Sequence, residues 1–346
     1  MTSKSFCVLP FFNRELFLND YETPCCLLPK CHDIQQIRTD MMNDVRSEWC
    51  KACWDIEDAG LKSDRLIKNE SYDFYADKDI ISVEQEVKSG NYSIQMLKIS
   101  TTNLCNATCA TCNSGSSSAW GALLGDSTYV KIPIEVYDNI DWKQIVYINI
   151  MGGEPLYEKT TWYILDKLLS AGNKDCFISI TTNGSIYPKG DRLAILKQIK
   201  NLSINFSIDG TGKVFEYMRF PLTWDKTLEN ISKFRTFVSN NSVSYTVSNL
   251  NVIYLNQTMA WLKQEGLPNG FNIVSYPSYF SPSAFPDEIK AQYPDNVFMQ
   301  KQKPDDLLQF YSMLSEIKKQ DKLKGIRVQD YMPEFFNLIE SYYVEV

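Results

Sequence analysis

Cys105, Cys109 and Cys112 stand in C-x3-C-x2-C spacing directly after an apolar, strand-like run. Three thiolates can hold three irons of a [4Fe–4S] cube and leave the fourth open, whereas a structural Fe–S site normally closes all four positions with Cys. An open metal position lets a second molecule bind and react, the same distinction that separates catalytic from structural zinc sites. Zinc or coincidence remains the alternative for a bare three-cysteine pattern.

Three more motifs follow in order. They are Met151-Gly152-Gly153-Glu154-Pro155, Thr181-Thr182-Asn183-Gly184 and Asn205-Phe206-Ser207-Ile208-Asp209-Gly210. Each closes a short β-branched or aromatic run, at 145–150, 177–180 and 202–208, as the cysteine loop closes the run at 94–99. These runs alternate with helical periodicity at 162–171, 191–200 and 224–238, the pattern of parallel β/α units. Ligand-contacting residues of such folds sit at the carboxyl ends of strands, so all four motifs are expected on one side of one sheet. Two further strands near 243–247 and 271–275 bring the number to six.

The residue types suit a polar ligand. Gly152 and Gly153 lack a Cβ and permit close backbone approach or positive φ. Glu154 offers a carboxylate for an ammonium group. Asn183, Ser207 and Asp209 offer donors and acceptors for ribose or amino-acid groups. Gly-Gly and Asp-Gly also occur simply as turns. Arg219 can grip a carboxylate with both guanidinium nitrogens, or serve only in a surface ion pair.

Together, Cys105/Cys109/Cys112, Gly152-Gly153-Glu154-Pro155, Asn183-Gly184 and Ser207-Ile208-Asp209-Gly210 resemble the radical S-adenosylmethionine (SAM) enzymes, over roughly residues 92 to 280. The resemblance implies an α/β fold, a partial (β/α)6 TIM-like barrel. It also implies a [4Fe–4S] cluster on the three cysteines whose free iron binds SAM. Members of that family reduce the cluster, cleave SAM to a 5′-deoxyadenosyl radical and abstract hydrogen from a substrate. Gly152, Gly153, Glu154, Pro155, Asn183, Ser207, Asp209 and Arg219 would then contact SAM, with the proton acceptor unassigned. One departure stands out: Thr111 occupies the place before the third cysteine where many members carry an aromatic residue near the adenine. Backbone after 243–247, or near Val252-Ile253, would have to cover the adenine instead.

Residues 1–65 hold Cys7, Cys25, Cys26, Cys31, Cys50 and Cys53, six of the ten cysteines. Cys50-Lys51-Ala52-Cys53 is a C-x2-C pair, which can grip one metal or one cluster edge. This pattern, continued through Trp54, Glu57, Gly60, Ser63 and Arg65, resembles the Twitch module, the short form of the SPASM domain. Glu216-Tyr217-Met218-Arg219 and Trp224 extend the match. The resemblance implies an auxiliary [4Fe–4S] cluster on Cys7, Cys25, Cys50 and Cys53, with Cys26 as the rival to Cys25. Cys31 and Cys176 read as ordinary small buried residues. Familiar Twitch modules follow the barrel; here the module precedes it. A structural zinc knuckle on the same four cysteines is the alternative.

The expected domains are a Cys-rich module and linker at 1–90, a radical SAM core at 91–280 and a C-terminal helical extension at 281–346. Residues 79–87 read as a linker or short helix, 276–286 as a cover for the barrel mouth or a rigid connector, and 304–319 and 330–343 as helices. The only histidine, His32, excludes a His-rich metal site and leaves little basis for a Ser-His-Asp triad. The serines at 114–118 lack a phosphate-loop pattern and read as a helix cap beside the cluster loop. Hydrophobic residues at 44% and aromatics at 13% mark a globular chain. A net charge of −7 lacks the basic footprint of general nucleic-acid binding. No run is long enough to span a bilayer, and no signal peptide is evident, so a cytoplasmic setting with reduced thiols is expected.

The resulting expectation is a radical SAM enzyme with two [4Fe–4S] clusters, the auxiliary one in electron transfer. Its partners would be an unidentified substrate, with a small molecule favoured, and a flavodoxin- or ferredoxin-like reductant. The alternatives are modification of a peptide or protein, and a non-catalytic SAM- or metal-binding protein with a zinc module.

Overall fold

The computed structural model describes residues 4–18, 22–30, 32–126, 129–300 and 306–343. Cys31 lies outside them. Eight strands are present: β1 (Asn13–Leu16), β2 (Glu22–Thr23), β3 (Met96–Ser100), β4 (Tyr147–Met151), β5 (Phe177–Thr182), β6 (Asn201–Ser207), β7 (Asn240–Val247) and β8 (Asn269–Ile273). They form one mostly parallel sheet in the order β2-β1-β3-β4-β5-β6-β7-β8, an α/β fold with helices at the C-terminal end of the chain. All six expected strands are there as β3 to β8, their ends shifted by at most three residues. Strands β1 and β2 were not expected; β1 pairs in parallel with β3, and β2 closes against β1 antiparallel.

The chain divides into two compact units. The first comprises Met1–Thr102, Val130–Ile180 and Lys189–Leu202. Its cysteine-rich part packs Phe6, Phe11, Phe12 and Tyr72 into a core with Val83 and Met96. Each such side chain contributes about 1.5–3 kcal/mol when fully buried. Three helices here begin at side-chain caps. Asp33 caps Ile34–Met42, Ser63 caps Asp64–Ala76 and Asp79 caps Ile80–Lys88, each accepting backbone N–H groups of the first turn. The segment at 79–87 is therefore a capped helix.

The second unit comprises Asn103–Tyr129, Thr181–Pro188 and Ser203–Val346. Its core gathers Tyr245, Val247 and Phe285 with Phe310, Leu314 and Phe335 from the C-terminal helices. The helix Asp306–Lys324 runs five residues past its expected end. The expected helix at 330–343 is instead two, Val328–Tyr331 and Pro333–Tyr343, because Pro333 cannot donate to a continuing turn but suits a new first turn. In the loop at 276–286, Phe280 and Phe285 are buried in this core, which makes it a packed connector.

Candidate functional site

Each motif begins where a parallel strand ends, because β3 to β6 stop at Ser100, Met151, Thr182 and Ser207. Cys105, Cys109, Cys112, Asn183, Ser207, Asp209 and Arg219 belong to the second unit. Gly152 to Pro155 belong to the first.

In the second unit the cysteine loop is held by its backbone. The N–H groups of Thr108 and Ala110 donate to Phe220 O (2.6 Å) and Met218 O (2.8 Å). Ser117 Oγ donates to Ala107 O at 2.7 Å, and Cys105 N donates to Ser118 Oγ at 3.1 Å. The serine run thus caps the helix Ser118–Leu124, through Ser117, and ties the loop to it.

Arg219, between the two carbonyls that receive the loop, pairs with Asp209 (Nε to Oδ2, 2.6 Å) and donates from Nη1 toward Cys109 Sγ at 3.8 Å. Burial opposes its charge, but Asp209 and Cys109 hold the guanidinium ionised. Burial, followed by the neighbouring Cys109, pushes the Cys112 thiol up to about 12; Cys105 adds to the rise and Arg219 opposes it. Burial therefore favours the neutral Cys112 thiol. A cluster ligand must be a thiolate, so a metal bound here would expel the Cys112 proton.

Asp209 is committed to the chain: Oδ1 accepts from Thr246 N at 2.8 Å, besides the Arg219 pair. Asn183 is likewise engaged. Its Nδ2 donates to Asn106 Oδ1 (2.9 Å) and its Oδ1 accepts from Ser185 N (2.9 Å), so it anchors the cysteine loop. Ser207 ends β6, half-buried.

In the first unit, Gly153 N donates to Thr102 O at 2.7 Å. Gly152 has φ +139°, and a Cβ there would stand 2.7 Å from Thr102 O. The close approach that this glycine permits is thus to the chain itself. Glu154 and Pro155 are buried; Glu154 Oε1 accepts from Leu156 N at 3.1 Å.

Cys7, Cys25, Cys50 and Cys53 line one narrow cavity walled by Leu9, Leu28 and Trp49, with Arg65 beside them. Burial pushes Cys7 and Cys53 up, and Cys50 to about 11. Arg65 forms a two-point pair with Glu57 (2.9 and 2.7 Å), donates to Phe6 O at 2.7 Å and lies 4.9 Å from the Trp54 ring centroid. Four thiols and one fixed cation are a donor set that suits a cluster. Cys26 faces elsewhere, into a pocket with Glu15 and Lys98. A hydrogen bond from Cys25 pushes the Cys26 thiol down and Cys25 up. Cys176 is buried, and the His32 ring is 2.8 Å from Pro29 O, a local contact. Among the described residues no three His, Cys, Asp or Glu side chains meet as a single-ion site.

The sequence reading missed two polar features. The register row Glu15–Lys98–Asn149 crosses β1, β3 and β4 and lines a pocket of about 270 Å³ with Tyr75 and Tyr147, Lys98 Nζ standing 3.1 Å from Glu15 Oε2. Lys98 and Asn149 occupy alternate positions in otherwise apolar runs, a signal available in the pattern. Gln320 and Lys324, near the end of a long helix, carried no such signal.

Residues 99–263 match the family model described as the Radical SAM superfamily. No curated protein matches the chain. Among solved structures, native anSMEcpe with bound AdoMet is 16% identical, covering 67% of this chain and 62% of that one at a TM-score of 0.41. SuiB of Streptococcus suis bound to precursor peptide SuiA is 14% identical, covering 70% and 51% at 0.41. TYW1 with a lysine-pyruvate adduct is 11% identical, covering 63% and 70% at 0.32. The chain thus spans about six-tenths of the length of anSMEcpe. No helix among the described residues is long and apolar enough to cross a membrane.

Proposed function

We propose that this chain, with its radical SAM domain at 99–263, is an enzyme that cleaves SAM reductively at a [4Fe–4S] cluster held by Cys105, Cys109 and Cys112. The superfamily's members are enzymes; substrate and product are the open part. The observation that carries the reading is the cysteine loop itself, braced by backbone bonds to Met218 and Phe220 with an Arg219 Nη1 3.8 Å from Cys109 Sγ.

When bound, cluster and SAM supply one-electron cleavage and hydrogen abstraction. The chain's part is to position and to set the local charge. Arg219 offsets the thiolates while Asp209 fixes its orientation. Asn183 braces the loop through Asn106. Glu154 takes the ammonium of SAM and Ser207 its polar groups, on the resemblance of their motifs. The glycines, with Pro155, shape the turn.

Cys7, Cys25, Cys50 and Cys53 hold an auxiliary [4Fe–4S] cluster that passes electrons, because four protein ligands leave no place for substrate. The 1–90 module, the 91–280 core and the 281–346 extension are the corresponding functional parts. The substrate is a small polar molecule, a size that suits the pocket of Glu15, Lys98 and Asn149. An external flavodoxin- or ferredoxin-like protein supplies the electron. The setting is a reducing, cytoplasmic one, where cysteine clusters favour metal over disulfides.

The test is iron and sulfide per chain after anaerobic reconstitution, with and without Cys105→Ala, Cys109→Ala and Cys112→Ala together. About eight irons should fall to about four, and 5′-deoxyadenosine should form from SAM only in the unsubstituted protein. Absence of iron, or zinc in its place at both sites, overturns the proposal.

A further inference from the structure

We infer that the helix Asp306–Lys324, outside the matched stretch, supplies a second cation to the Cys105/Cys109/Cys112 loop, and that Lys324 sets the reduction potential of the cluster held there. The inference rests on the cluster reading above. It makes Lys324 a positioning residue acting through charge.

Two contacts latch this helix to the loop. Gln320 Nε2 donates to Ala110 O at 2.9 Å, the carbonyl just after Cys109. One turn on, Lys324 Nζ donates to Gln320 Oε1 at 2.9 Å and lies 4.7 Å from the Trp120 ring centroid. Trp120 in turn donates from Nε1 to Cys109 O at 3.0 Å. The ammonium is therefore fixed from two sides, over an indole face and against an amide, both of which touch the backbone of the cysteine loop.

The charges around it favour a role toward the thiolates. Arg219 is paired with Asp209 at 2.6 Å, so much of its field is cancelled. Lys324 has no carboxylate within ion-pair distance among the described residues. The oxygens of Asp321, the nearest acid in sequence, accept from Tyr217 Oη (2.9 Å) and Val328 N (2.7 Å). Burial pushes the ammonium down to about 8, and Cys109, Asp321, Glu316 and Cys112 oppose that fall. Adding an electron to a cluster makes it more negative, and a nearby buried cation stabilises that reduced form.

The experiment is an EPR-monitored redox titration of the reconstituted full chain, following the signal that changes when SAM is added. The variants are Lys324→Gln, Lys324→Met and Lys324→Arg. The two neutral variants should shift the reduced-to-oxidised ratio at fixed potential by about tenfold toward oxidised, about 59 mV for a one-electron couple. Lys324→Arg should titrate near the unsubstituted protein. Where a neutral variant retains its iron, an unchanged midpoint overturns the inference, as does an arginine variant that shifts as far as methionine. Loss of the SAM-responsive iron from both neutral variants, but not from arginine, supports the charge role; loss from all three refutes it. Absence of any SAM-responsive signal in the unsubstituted protein would instead sink the cluster reading.

Discussion

Gly152→Ala tests how the end of β4 meets the end of β3. The backbone at Gly152 has φ +139°, where a side chain is strained, and the added Cβ would lie 2.7 Å from Thr102 O and 3.3 Å from Thr101 N. Those atoms are backbone and cannot swing aside as the tip of a long side chain could. Unfavourable φ costs about 1–3 kcal/mol, and forced overpacking costs roughly 1–3 kcal/mol. Taking about 3 kcal/mol for the sum, at roughly 2–4 °C per kcal/mol, the melting temperature should fall by about 6–12 °C. Gly270→Ala is the control, because a Cβ there meets nothing within 4 Å and its φ is ordinary. Both variants would be melted without cofactors and followed by near-ultraviolet circular dichroism. If Gly152→Ala melts with the unsubstituted protein, the chain does not hold β4 against Thr102 as described.

Two further outcomes follow from the N-terminal cysteines. Cys25→Ala should lower the iron content by about four per chain, whereas Cys26→Ala, which faces Glu15 and Lys98, should leave it unchanged. Equal iron in the two variants would remove Cys25 from the ligand set. Arg65→Met should destabilise the chain by about 3–5 kcal/mol in urea unfolding, since it strands the Glu57 carboxylate, and Arg65→Lys should rescue little because lysine lacks the two-pronged fork. Burial pushes the Glu57 carboxyl up, but hydrogen bonds from Arg65 and Ser63 outweigh it and hold it below its ordinary value. Its contribution is therefore complete at neutral pH and should fade as pH falls through the ordinary glutamate range and below. Arg65→Met should flatten that acid limb, and an unchanged limb would exclude this pair as its source.

Strands β3 to β6 were legible because each is a short β-branched or aromatic run ending in a motif of small and polar residues. Strand β1 was not. Asn13-Arg14-Glu15-Leu16 has no alternation that marks a strand, and it exists because β3 offers it an edge. The break at Pro333 was readable in principle, since proline ends the preceding turn, yet apolar periodicity runs through it. Among the site residues, the types were readable and the partners were not. Asn183 suits a ligand as well as it suits Asn106, and only the folded loop shows where its amide goes. Arg219 read as either a ligand clamp or a surface pair; the buried pair with Asp209 is a third arrangement, set by an approach of residues that motif spacing does not encode.

The two cysteine sites share one physical device. Beside Cys109 stands Arg219 pinned by Asp209, and beside Cys7, Cys50 and Cys53 stands Arg65 pinned by Glu57. A buried guanidinium without a partner would cost several kcal/mol, so the acid is what allows the cation to be in place before any metal arrives. The thiols are set the opposite way: burial pushes Cys7, Cys50 and Cys112 up and favours their neutral form. Thiolate formation at either set would thus be coupled to the binding of a metal that neutralises it. Lys324 departs from this scheme. Among the described residues it makes no ion pair, Asp321 and Glu316 acting on it only through their charge, and burial brings its ammonium to about 8. Thiolates at Cys109 and Cys112 would hold it ionised, which couples this cation to thiolate formation in the loop.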